Sequence, residues 1–118
     1  MAIQDRARNL HAGKLTEGRT KGDLKELSAK YPEGVTLRLA EVLHDPKRDS
    51  DYAVLVFEET EDLFYFGGSV ITNFVKELRN AYESKDAFDT ELITNGLRVQ
   101  IERVRSKGGN VYNKFKVL

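Results

Sequence analysis

A chain of 118 residues in which 19 Lys and Arg balance 19 Asp and Glu, with no Cys and no Trp, has room for one domain and cannot form a disulfide or a thiolate metal site. Zero net charge excludes a non-specific polycation. The apolar runs are short and the amino terminus is charged, so neither a membrane span nor a signal peptide is expected, and a cytoplasmic location is.

The neutral total hides opposed blocks. Residues 1–33 carry a net +2, residues 34–66 −5, residues 67–93 −2 and residues 94–118 +5. An anionic partner is therefore expected at the carboxy-terminal segment.

Residues 1–22 show neither helical nor strand periodicity and are expected to be mobile. Asp23 followed by Glu26 has the form of a capping box, and Tyr31-Pro32 ends the short helix it opens. From Val35 the apolar period is two, through Leu37, Leu39 and Leu43, which marks a strand. After the polar run HDPKRDSD, Tyr52–Phe57 is apolar on both faces and reads as a central strand. Leu63–Phe66 is a short aromatic strand stopped by Gly67-Gly68, paired with the preceding one as a hairpin. On it Phe64 and Phe66 are expected in the core, and Tyr65, on the opposite face, in solvent. Ser69 is expected to cap a helix running to Glu83, whose apolar face holds Val70, Ile71, Phe74, Val75, Leu78 and Tyr82. Residues 84–94 give no decisive pattern beyond a further helical turn. Leu97, Val99 and Ile101 alternate up to a parity break at Val104, which suggests a bulge near Glu102-Arg103. Ser106–Gly109 turns the chain into a last strand, Val111–Val117.

Strand, strand, strand, helix, strand, strand is the element order of the OB-fold, a five-stranded Greek-key barrel with its helix between strands three and four. The expected fold is therefore mainly β (α+β), with residues 1–33 as a flexible arm bearing a short helix and residues 34–118 as an OB-like domain; an open five-stranded α+β sheet is the alternative.

Catalytic readings lack parts. Gly67-Gly68 stands outside any phosphate-binding motif. His11 and His44 have no metal-ligand spacing, and neither is expected on a rigid element where it could serve a serine nucleophile. The acidic runs Asp45, Asp49, Asp51 and Glu58, Glu59, Glu61, Asp62 lack the pattern of a calcium loop. No enzyme, cofactor or metal is expected. What remains is a binding surface: cations for phosphates and aromatic faces for bases. The candidates are Tyr65, Arg98, Arg103, Arg105, Lys107, Tyr112, Lys114 and Lys116, with Tyr52, Phe57, Phe64 and Phe66 as further aromatics of the second and third strands. The competing reading is a protein-interaction module or homo-oligomer, whose basic hairpin meets an acidic partner or merely guards an exposed edge.

The stretches YPEGVTLRLAEVL, YAVLVFEETEDLFYFGGSVITNFVKEL and NGLRVQIERVRSKGGNVYNKFKVL resemble small proteins of phages and mobile elements of Gram-positive bacteria. SKGGNVYNKFKVL is similar to the closing hairpin of OB-fold single-stranded-DNA-binding proteins. The resemblance, over about residues 31–118, implies a replication or recombination accessory that binds single-stranded DNA, or RNA, with Tyr112, Lys114 and Lys116 on the binding side.

Overall fold

The computed structural model describes residues 15–118. In chain order they form β1 (Thr20–Lys21), α1 (Leu24–Lys30), β2 (Val35–Asp45), β3 (Ser50–Phe57), a 3-10 turn (Glu58–Thr60), β4 (Leu63–Gly67), α2 (Ser69–Asn80), α3 (Lys85–Asn95), β5 (Leu97–Arg105) and β6 (Val111–Val117). The strands make one mixed sheet in the order β1-β4-β3-β2-β5-β6, in which only the β1–β4 pair is parallel. No helix among the described residues is long and apolar enough to cross a membrane.

The expected closed barrel is corrected to an open sheet. Closure would require β4 to pair with β6, but β1 holds the free edge of β4, through Thr20 N–H to the Asp62 carbonyl at 3.0 Å and Gly22 N–H to the Phe64 carbonyl at 2.8 Å. The sheet nevertheless curls, because β2 is shared. Its first residues pair with β5 (Val35 opposite Val99) and the rest with β3 (Leu39 opposite Val56 to Asp45 opposite Ser50). A bulge at Arg38, between Leu37 and Leu39, separates the two registers and adds bend and twist. It also changes the facing: Val35, Leu37 and Ala40 join the main core, whereas Leu39 joins a smaller cluster on the outer side. The bulge expected at Glu102-Arg103 is absent. β5 and β6 pair without interruption from Val99–Val117 to Arg105–Val111, and the parity break at Val104 only marks where the hairpin passes beyond the core.

Leu55, Phe57, Tyr65, Ile71, Val75, Phe88, Leu92, Val99 and Phe115 fill the inner side. Helix α2 covers it. Ser69 is the first helical residue rather than the cap; Gly68 occupies the cap position without a side-chain bond. The helix is fixed instead by Thr72, whose hydroxyl accepts from Ala53 N–H at 3.0 Å and donates to the Gly67 carbonyl at 3.3 Å. Ile71 and Val75 are buried while Phe74 and Leu78 are partly so, and Val70 is exposed. Residues 85–95 form a full helix, opened by Ser84, which accepts from Ala87 N–H at 3.1 Å, and stopped at Gly96 with φ +71°, a conformation that favours glycine. At α1 the Asp23 carboxylate accepts from Lys25 N–H at 2.8 Å.

Of the stretch expected to be mobile, the part from Leu15 onward lies against the sheet. Leu15 packs with Leu39, Val54 and Val56 on the outer side, and buried Arg19 donates to the carbonyls of Glu61 and Leu15, both at 2.8 Å. The part of that expectation covering residues 1–14 lies outside the described residues, as does His11.

Candidate nucleic-acid interface

Strand parity divides the candidate residues. Along β5 and β6 the inner side takes Val99 with Val117, Ile101 with Phe115, Arg103 with Asn113 and Arg105 with Val111; the outer side takes Gln100 with Lys116, Glu102 with Lys114 and Val104 with Tyr112. Arg98, Tyr112, Lys114 and Lys116 thus share the outer side, Arg103 and Arg105 point the other way, and Lys107 sits in the turn.

These cations are not equivalent. Arg98 is tied down, 3.3 Å from Glu59 and donating to the Thr36 hydroxyl at 3.2 Å, so it joins β5 to β2 and the 3-10 turn. Lys114 lies 3.8 Å from Glu102, and Arg103 donates to Asn113 Oδ1 at 3.1 Å. Arg105, Lys107 and Lys116 are exposed and make no ion pair among the described residues. Such cations can neutralise phosphate without first breaking an internal bond. Tyr112 is half-buried.

Tyr65 is corrected outright. It is 2% exposed, its ring stands edge-on to Phe57 at 5.4 Å, and its hydroxyl shares a 3.0 Å hydrogen bond with Thr60. Burial pushes its phenol pKa up, against the opposing hydrogen bond from Thr60. Thr60 satisfies the hydroxyl, which removes the reason for expecting that residue in solvent. Gly22 passes so close that a side chain there would overlap the Tyr65 ring.

Phe64 and Phe66 therefore face outward, also a reversal. Phe66 is 42% exposed and meets Tyr52 at 5.6 Å and Phe64 at 5.4 Å, both edge to face. The Lys21 ammonium lies 5.2 Å from its centroid, within cation–π range. Hollows flank this ring on two sides. One, of about 390 Å³, is lined by Asp45, Arg48, Ser50, Tyr52 and Gly67 as well as Phe66. The other, of about 480 Å³, is lined by Lys21, Asp23, Leu24, Glu26 and Phe66 and reaches Asn113 on β6. The second cleft links the aromatic cluster to the hairpin across the gap where a barrel would have closed. Asp23 and Glu26 make it locally acidic, so attraction for an anion must come from Lys21 and the hairpin.

Lys21 was hidden in a stretch without periodicity. Tyr52, Phe64 and Phe66 were in view, but the parity of β4 could be assigned only by noticing that Tyr65 opposes Leu55, a core residue of β3.

His44 belongs to β2 rather than to a loop, and its Nδ1 is 2.9 Å from Asp51. The hydrogen bond from Lys76, then that from His44, holds the Asp51 carboxyl below its usual range. The pair is exposed and offers no nucleophile. No group of three or more potential metal ligands occurs among the described residues. No protein-family model matches the chain, and neither the curated proteins nor the solved structures contain a significant match.

Proposed function

We propose that this chain binds single-stranded nucleic acid, without catalysis, on the outer side of its sheet. One observation carries the reading: an aromatic cluster, exposed Phe66 with half-buried Tyr52 and Phe64, lies on the same side of one continuous sheet as Tyr112, Lys114 and Lys116. Bases stack on aromatic faces for roughly 1 to 3 kcal/mol each, and phosphates seek the cations between them.

Stacking and charge of this kind favour no sequence, which suits an accessory of replication or recombination in the cytoplasm, the role implied by the resemblance to OB-fold proteins of phages and mobile elements. Polarisation of a labelled oligo-dT, titrated with the protein at low and moderate salt, tests it. Saturable binding that weakens with salt is expected; no binding at about 50 mM salt, where screening is incomplete, rejects it.

A second reading draws on the β6 edge. β6 is the last strand in the sheet, and Val111, Val117 and Leu118 are 46 to 55% exposed. An acidic segment of another protein, or a second copy, could add as a strand there. Failure of oligo-dT binding together with concentration-dependent self-association would favour that reading.

A further inference from the structure

The β5–β6 hairpin outlives the core that supports it. On β5 the last buried residue is Ile101 and on β6 the only one is Phe115, yet pairing continues to Arg105 opposite Val111. From Glu102 to Arg105 that leaves about 13 Å of two-stranded ribbon at roughly 3.3 Å per residue, before the turn. Its tip is narrow: Gly109 has φ +86°, and a side-chain carbon there would meet nothing within 4 Å.

Cations stand on both faces of this ribbon. Arg103 and Arg105 are on one and Lys114 on the other, where it lies 3.8 Å from Glu102, with Lys107 at the turn. Beyond Glu102 there is no carboxylate side chain, and Arg105 and Lys107 have no ion-pair partner among the described residues. A single strand laid on the outer side would leave Arg103 and Arg105 unused. A groove walled by phosphates on both sides would use both faces.

We propose that the free end of the β5–β6 hairpin inserts into the major groove of duplex DNA. That groove is about 12 Å wide and 8.5 Å deep and admits a two-stranded ribbon, whereas the A-form major groove of duplex RNA is too narrow. With single-strand binding on the outer side, the tip would place the protein where a single strand meets a duplex. The inference extends the nucleic-acid reading and rests on it.

The test is polarisation of the full chain with three labelled probes at about 50 mM salt: oligo-dT, a mixed-sequence duplex DNA and the same duplex as RNA. The double variant Arg105→Gln, Lys107→Gln is expected to weaken duplex-DNA binding by about tenfold or more, through the loss of phosphate contacts, and to leave oligo-dT binding nearly unchanged. Phe66→Ala should do the reverse. Both positions of the tip variant are exposed, and an unchanged circular-dichroism melt confirms its fold. Binding of oligo-dT with no binding of duplex DNA overturns the inference and leaves the single-strand reading standing. So does a duplex affinity that is indifferent to the tip variant, or equal for RNA and DNA duplexes. Binding of none of the three probes overturns both.

Discussion

Phe57 and Phe115 meet edge to face, 6.1 Å apart at 83°, although their strands β3 and β6 are separated in the sheet by β2 and β5. Aromatic contact on the inner side therefore holds the curl that no hydrogen-bonded strand pair closes. Phe74 of α2 adds a second edge-to-face contact to Phe115 at 5.7 Å.

Phe115→Ala should cost about 3 to 5 kcal/mol of stability in denaturant unfolding, as for other buried Phe truncations. Val104→Ala, on the unsupported part of the hairpin, should cost about 0.5 kcal/mol or less. A Phe115 loss below about 1 kcal/mol would mean that the inner-side ring contacts do not hold the curl.

Neighbouring positions on β4 should separate stability from binding. Tyr65→Phe removes the hydroxyl bonded to Thr60 and should destabilise by about 0.5 to 1.5 kcal/mol without altering affinity for oligo-dT. Phe66→Ala, at a ring 42% exposed, should weaken that affinity by roughly 1 to 3 kcal/mol. Equal affinities for the wild type and Phe66→Ala would remove Phe66 from the site.

Much of this fold was legible in the sequence, and the reasons are local. Alternation marked β2, β5 and β6, and the Ser106–Gly109 turn separated the last two. Three features escaped. The helix at residues 85–95 carries Phe88 and Leu92 at i, i+4 amid polar residues, too narrow a stripe to stand out. The outward turn of Phe66 follows from Tyr65 lying opposite Leu55 of the core, a cross-strand relation that alternation within β4 alone does not contain. β1 is two residues long and exists only because β4 offers it an edge, so no periodicity could announce it.

Asp89 should make stability depend on pH. Half-buried on α3, its carboxyl is pushed up to about 6, chiefly by desolvation and further by Glu41 and Asp86, with Lys85 and Arg79 opposing. Lys85 is itself engaged 2.7 Å from buried Glu41. Because the folded protein binds this proton more tightly than the unfolded chain, with its ordinary value near 3.9, stability from this group is greatest below about pH 4 and declines as pH rises to about 6. After allowance for solvent screening, the decline is about 1 to 2 kcal/mol. Asp89→Asn should recover that amount at pH 7 and flatten the profile between about pH 4 and 6. A profile unchanged by the substitution would contradict the assignment.

Lys114→Gln with Lys116→Gln should lower the magnitude of the slope of log K against log salt for oligo-dT by about 1.4, at roughly 0.7 per phosphate on a single strand. Tyr112→Ala should lower affinity by roughly 1 to 3 kcal/mol with the slope unchanged, since stacking releases no counterions. Identical slopes for the wild type and the double Lys variant would place the phosphates elsewhere.

The most direct test of an outer-side single-strand site is amide chemical-shift mapping of the labelled protein during titration with oligo-dT. The account predicts progressive shifts at Lys21, Tyr52, Phe64, Phe66, Tyr112, Lys114 and Lys116, with Tyr82 and Glu83, beyond the end of α2, unmoved. Shifts confined to α2 and α3, or none along β4 and β6 at saturation, would contradict it.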